Sequence, residues 1–204
     1  MKLYYAPGTC ALAPHIALEW TGKPYEAERV ELGSEEYLKI NPLGMVPALK
    51  DDGFRIMTQA DAILKYIEAK YPEAGLGVAK DPLSQFGLDE ALAFLTGDFH
   101  PAFWPFFVPD RYTVNGSTGA QDEVRQAAFA RIDRVMSHLG TLLDGGPHVA
   151  GSKRTIADPY AFAMVRWTAH TPKPWQDYPP VKRFMETMLE DRGVQAAMKA
   201  QGLS

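Results

Sequence analysis

The chain has 204 residues, of which 46% are hydrophobic and 23% charged, with a formal net charge of -4 at pH 7. That length supports one large or two small domains with real cores, and the acidic balance excludes the basic footprint of a general nucleic-acid binder. No run approaches the roughly 18 apolar residues that span a bilayer, and a single cysteine permits no internal disulfide.

Lys2–Tyr5 reads as an apolar strand that passes through Ala6-Pro7-Gly8-Thr9 to Cys10 and a helix over Pro14–Thr21. The chain enters that strand at once, without a charged-then-apolar leader, so the expected compartment is the cytoplasm. Cys10 falls at the start of the helix, where the helix dipole and unpaired N–H groups favour a thiolate; the position predicts a nucleophile with a pKa below that of a free thiol. His15, on the same helix, reads as structural. A second strand follows at Tyr25–Val30, then a short acidic loop, Glu31–Leu38. Ile40–Val46 is a turn delivered into a strand that begins at Pro47, where no ladder donor is needed, and continues through Ala48-Leu49. Thr58, with Asp61 three residues on, reads as the capping box of a helix over Ala60–Lys70. This alternation predicts a small α/β domain.

Tyr71–Gly77 is a linker by its Pro and Gly content. Beyond Asp81 the periodicity is helical: Leu83–Phe99, Gln121–Leu143, Ile156–Ala169, Pro180–Leu189 and a short helix after Gly193, with no strand signal, so the second domain is expected to be all-α. Between the first two lies His100-Pro101-Ala102-Phe103-Trp104-Pro105-Phe106-Phe107-Val108-Pro109. Prolines this dense predict a kinked helix end, with aromatic side chains either filling the core or lining a pocket. Thr155 and Asp158 form a second capping box, with a role in folding. The five histidines and one cysteine show no metal-ligand spacing, so no metal site is expected.

Taken together, KLYYAPGTCALAPHIAL at the N-terminus, NPLGMVPAL at 41–49, TQADAI at 58–63, His100, and TIADPYAF at 155–162 followed by Arg166-Trp167 resemble the cytosolic glutathione transferases, and among them the bacterial beta class. The resemblance spans essentially the whole chain. It implies a thioredoxin-like glutathione-binding domain over residues 1–77 and an all-helical domain over 82–204, assembled as a homodimer. It implies glutathione as co-substrate, whose thiolate attacks a small hydrophobic electrophile, with no nucleic-acid or membrane partner. Cys10, His100 and Tyr5 match catalytic positions. Cys10 can hold glutathione as a mixed disulfide, and His100 tunes its protonation or bonds the glutathione sulfur. The Val46-Pro47 bond is expected to be cis, with the Val46 backbone pairing with the extended cysteinyl peptide as another strand would. Gln59 and Ala60 are expected at the γ-glutamyl end, where a helix N-terminus accepts the carboxylate. Phe103, Trp104, Arg166 and Trp167 match the wall of the electrophile pocket.

Several positions depart from the family pattern. Many relatives carry a lysine before the Asn-Pro turn; here the loop holds Glu35 and Glu36, and only Lys39 is near in sequence, which predicts weak hold on the glycine carboxylate and a gain from lysine at 35 or 36. Residue 11 is alanine where serine is common, and Ala60 also stands where serine is frequent. A glutathione-dependent thiol-disulfide reductase and a non-catalytic binding or regulatory module are the alternative readings.

Overall fold

The computed structural model describes residues 1–53 and 55–204. Its N-terminal part is a four-stranded sheet in the order β2-β1-β3-β4, formed by β1 (Lys2–Tyr5), β2 (Glu26–Arg29), β3 (Ala48–Lys50) and β4 (Met57–Thr58). β1 pairs in parallel with β2, with Leu3 opposite Ala27, and antiparallel with β3, with Leu3 opposite Leu49. Leu3, Tyr4 and Tyr5 are all buried, as befits a central strand covered on both faces. β2 lies at the edge and reads Glu-Ala-Glu-Arg, every residue exposed; charge on an edge strand discourages pairing with another chain.

The parallel β1–β2 step requires a crossover, supplied by α1 (Leu12–Thr21). Eight of its side chains are buried, because it packs against α3 (Ala60–Lys70) on one side and against α7 (Ala157–Val165) and α9 (Arg192–Ala200) on another. It ends at Gly22, whose φ of 64° is the left-handed cap conformation that glycine adopts freely. His15 is wholly buried, its Nδ1 3.0 Å from Gln201 Nε2, which ties α1 to the residue after α9 and bears out a structural role.

The segment read as an acidic loop contains a helix, α2 (Glu35–Ile40). Ser34 caps it by accepting the Tyr37 N–H at 3.3 Å, Glu35 and Glu36 occupy its positive end and Lys39 its last turn. Its six residues are too few to show helical periodicity.

The remaining helices are α4 (Pro82–Phe94), α5 (His100–Phe107), α6 (Thr118–Leu143), α7, α8 (Pro179–Glu190) and α9. α4 and α5 form one continuous rod, because Leu95–Phe99 is a π-helical turn in which the His100 N–H bonds to the Leu95 carbonyl five residues back. The helix therefore does not end near Phe99. Pro101 follows the π turn directly, where the hydrogen-bond register has just shifted, and Pro105 is carried inside α5. α7 begins with the expected box: Asp158, wholly buried, accepts the Thr155 N–H at 2.5 Å and the Val149 N–H at 2.9 Å, and Thr155 Oγ1 accepts the Ala157 N–H at 3.3 Å. The capping box expected at Thr58 does not form. Thr58 is still in β4, paired with Ala48, and the helix follows after a single residue, Gln59, with no side-chain cap. Among the described residues, no helix is long and apolar enough to cross a membrane.

Candidate functional site

A cavity of about 200 Å³ lies between the sheet end and the α4–α5 rod. Cys10, Val46, Pro47, Gln59, Ala60, His100 and Trp104 all line it, from four separated stretches of sequence. A hollow of about 760 Å³ beside α4 is larger but holds no cysteine, histidine or tyrosine.

The floor is built mostly from backbone. Asn41 pins the 41–45 turn: its Nδ2 donates to the Met45 carbonyl at 2.7 Å and its Oδ1 accepts the Leu43 N–H at 3.3 Å, while the Tyr37 hydroxyl donates to the same Met45 carbonyl at 2.7 Å. That turn delivers Val46 and Pro47, joined by a cis peptide bond, to the cavity edge. Opposite, Gln59 is the only non-glycine described residue with positive φ, at 72°. Together with Ala60 it brings the uncapped start of α3 to the cavity, and uncapped helix N–H groups attract an anion.

Cys10 lies in the turn before α1, and its expected thiolate character is not what its surroundings favour. The N–H groups of Ala11, Leu12 and Ala13 are already bonded to Thr9 Oγ1, the Thr9 carbonyl and the Cys10 carbonyl. The Cys10 thiol instead donates to the Val46 carbonyl, with Sγ 3.4 Å from the oxygen. Burial pushes its pKa up to about 12, with a backbone hydrogen bond pulling weakly the other way. The helix start does not compensate for the loss of water around the sulfur.

The opposite wall is made of side chains. The π turn ends at His100, whose ring stacks on Trp104 (centroids 5.4 Å apart, planes 9° apart) and tilts against Trp167 at 5.1 Å. Its Nδ1 lies 3.2 Å from the Tyr160 hydroxyl. Burial lowers the His100 pKa to about 4, so the ring is neutral at pH 7. Burial likewise raises the Tyr160 pKa and keeps the phenol protonated. Beside it, the buried Thr96 hydroxyl faces the phenol and pulls its pKa the other way, outweighed by burial.

The other residues singled out from sequence lie outside the cavity lining. Tyr5 tilts against His15 at 5.4 Å and donates its hydroxyl to the Ala200 carbonyl at 3.2 Å, drawn there by α9, a neighbour that the sequence does not reveal. Lys39 is exposed at the end of α2. Phe103 is wholly buried among Phe99, Phe107 and Trp167. Arg166 donates to the Ser204 carbonyl at 3.0 Å. Trp167 donates to the Gly8 carbonyl at 2.8 Å and touches the site only as a backing for His100. Asn41, Thr96 and Tyr160 are lining residues that sequence reasoning passed over; Tyr160 was within reach, being part of the TIADPYAF motif. Among the described residues, neither Lys, Arg, Asp nor Glu lines the cavity. Among the described residues, no three His, Cys, Asp or Glu side chains converge as a metal site.

Comparisons with known proteins agree with this arrangement. Residues 3–75 match the family model "Glutathione S-transferase, N-terminal domain" and residues 122–187 the model "Glutathione S-transferase, C-terminal domain". A curated protein of Xanthomonas campestris pv. campestris, named Glutathione S-transferase GST-4.5, is 35% identical over 209 residues, covering 100% of both chains. Among solved structures, a sphingomonad glutathione S-transferase complexed with glutathione is 36% identical, with a TM-score of 0.87 and 100% of both chains covered. A bacterial beta-class glutathione S-transferase of Sphingomonas chungbukensis is also 36% identical, with a TM-score of 0.88 over 100% of both chains.

Proposed function

Because this chain belongs to the glutathione S-transferase family, we propose that it binds glutathione in the cavity beside Val46 and promotes attack of the glutathione sulfur on small hydrophobic electrophiles. The observation that carries this reading is the convergence of Cys10, Val46, Pro47, Gln59, Ala60 and His100 on one cavity. Residues 1–77 form the unit that seats the tripeptide. Its γ-glutamyl carboxylate takes the uncapped start of α3 at Gln59 and Ala60, and its cysteinyl backbone pairs with Val46. Residues 82–204 form the helical unit that supplies the co-substrate wall, with Trp104 as the aromatic surface beside His100. The electrophile is apolar because that wall is aromatic and uncharged.

In the reaction the glutathione thiol loses its proton to solvent, the sulfur forms a bond to the electrophilic carbon, and the leaving group departs with its electron pair. His100, placed at the cavity wall, acts on that sulfur. Cys10 serves as a neutral neighbour whose hydrogen bond orders the Val46 carbonyl. Its raised pKa favours conjugation over thiol exchange as the main activity, since exchange needs a thiolate. A homodimer in the cytoplasm completes the reading; its test is gel filtration, where elution at twice the monomer mass is the expected outcome and elution at the monomer mass overturns it.

The test is a glutathione titration by calorimetry paired with the absorbance assay for conjugation to a dinitro-substituted aryl chloride. Saturable binding and product that depends on both substrates support the reading. Absence of heat and of product sinks it.

A further inference from the structure

Tyr160 is the most deeply buried polar side chain in the described cavity wall. It lies on α7, all nine residues of which are buried. The buried carboxylate of Asp158, two residues earlier, is anchored to the Val149 and Thr155 N–H groups. The ring of Tyr160 is only 2% exposed, and its hydroxyl meets His100 Nδ1 at 3.2 Å. On its other sides the imidazole is clamped by the stacked Trp104 and by Trp167, whose own N–H is bonded to the Gly8 carbonyl. The plane of His100 is therefore set by two indoles, and its Nδ1 is committed to a phenol.

The direction of that hydrogen bond follows from acidity. A phenol, with an ordinary pKa near ~10, is a far stronger acid than the N–H of a neutral imidazole. Tyr160 therefore donates and Nδ1 accepts, which leaves the ring's proton on Nε2. We propose that Tyr160 is a positioning residue that locks His100 in the Nε2–H tautomer, so that His100 meets the substrate sulfur as a hydrogen-bond donor rather than as a base. The consequence at the sulfur rests on the function proposed above; the tautomer itself does not. No proton moves onto His100 during the reaction: the thiol proton leaves to solvent, and Nε2–H stabilises the sulfur's negative charge until the new bond forms.

The test is two-bond proton–nitrogen correlation NMR of the uniformly labelled protein at pH 7, with the His100 signals assigned by their loss in His100→Gln. The expected wild-type spectrum has a protonated Nε2 and an unprotonated Nδ1. In Tyr160→Phe, which removes only the hydroxyl, the ring should shift to a mixture of tautomers. In the same variant kcat should fall about 10-fold, the upper end of what one neutral hydrogen bond contributes, with the KM for glutathione changed less than about twofold. The kcat loss should vanish when Tyr160→Phe is made in a His100→Ala background, an outcome that a merely structural tyrosine would not produce. A wild-type Nδ1–H signal, or an unchanged tautomer in Tyr160→Phe, overturns the proposal, and the wild-type spectrum decides even where the variant folds poorly. A Tyr160-dependent tautomer alongside full turnover in His100→Ala confirms the lock and overturns the role of His100 at the sulfur.

Discussion

The two walls of the cavity are built from different materials. On the N-terminal side, the groups aimed at a ligand are main-chain ones: the Val46 backbone beside Pro47 and the uncapped start of α3. Side chains there serve mainly to hold the turn, as Asn41 and Tyr37 do by bonding the Met45 carbonyl. On the helical side the backbone is spent inside the α4–α5 rod, and what faces the cavity is side chains: His100, Tyr160, Thr96 and Trp104. A backbone wall recognises a peptide by its shape, so it tolerates substitution and governs binding. A side-chain wall acts on one atom, so a single substitution there governs turnover.

Cys10 breaks this division, standing on the backbone wall with a side-chain thiol, and the protonation of that thiol gives the largest expected effect. A thiol with a pKa near 12 is almost entirely protonated at pH 7. Alkylation of Cys10 by iodoacetamide in the resting protein should therefore be slower than that of an unperturbed cysteine by about 10²–10³-fold. The rate should keep rising about tenfold per unit from pH 7 to 9, where an ordinary thiol levels off near its own pKa of ~8.5. Mass spectrometry of timed aliquots measures it. A rate that is fast at pH 7 and flat above pH 8 restores the low-pKa nucleophile that the sequence alone suggests.

His100 on the opposite wall should show the next largest effect. His100→Ala is expected to lower kcat by about 10²-fold, the lower end of what a positioned proton or hydrogen-bond group supplies, while the KM for glutathione moves little. Parallel losses in both would place His100 among the binding groups and erase the contrast between the walls. The same ring carries a pH signature. Burial lowers its pKa from 6.5 to about 4, so the folded protein favours the neutral form. The stability that this contributes is fully present above pH 6.5 and is lost as pH falls toward 4. Thermal unfolding at pH 7 and 4.5 should show a larger drop for wild type than for His100→Gln, since the other titrating groups are common to both.

The contrast also explains what could be read from the sequence. Backbone conformations impose residue types, so the Asn41-Pro42-Leu43-Gly44-Met45-Val46-Pro47 turn was legible as a motif; at Gly44 φ is 64° and a Cβ would meet Leu38 Cδ2 at 3.3 Å. β1, α1 and α3 were legible from their apolar spacing, whereas β2 is an exposed Glu-Ala-Glu-Arg run and β4, at Met57–Thr58, falls where a helix cap was expected. The helical wall was harder. Pro101 and Pro105 argue for a helix end, yet the π turn at Leu95–Phe99 changes the hydrogen-bond register just ahead of Pro101 and the rod continues, which turns His100 and Trp104 to one side and Phe103 into the core. No local pattern announces that turn. Tyr160 and Thr96 join the site only through packing between α7 and the rod, and the Tyr5 and Arg166 contacts with Ala200 and Ser204 depend on where the C-terminus lies.

Gln59 offers a sharper test of the backbone wall, with a smaller effect. Its φ of 72° and ψ of 118° are uncomfortable for any side chain and free for glycine, a strain of order 1 kcal/mol or more. Gln59→Gly should therefore keep or raise the melting temperature, the strain relief being partly offset by greater freedom in the unfolded chain. It should raise the KM for glutathione about 3- to 10-fold through loss of the amide, and leave kcat within about twofold. A fall in melting temperature would mean that the Gln59 side chain itself holds the start of α3. A fall in kcat would mean that the two walls are coupled through α3.

The smallest effects are expected at α2, and they decide how far the backbone wall extends. Lys39, Glu35 and Glu36 are exposed on a helix whose following turn, at Asn41, Leu43 and Met45, lines the cavity although they do not. Charges outside the lining act on a bound carboxylate through solvent and are screened over about 8 Å at physiological salt. Lys39→Met should thus raise the glutathione KM by less than about twofold at 0.15 M salt. Glu35→Lys and Glu36→Lys should improve affinity by a similarly small factor, growing to a few-fold near 10 mM salt, where the screening length is about 30 Å. Each lysine also exchanges a favourable acid for a base at the positive end of α2, at a cost of about 0.3–1 kcal/mol in helix stability. Calorimetric titration at the two salt concentrations, with circular dichroism to follow α2, separates the terms. A tenfold loss in Lys39→Met that persists at high salt would mean that Lys39 swings in to bond the glycine carboxylate directly, making α2 a third, side-chain wall.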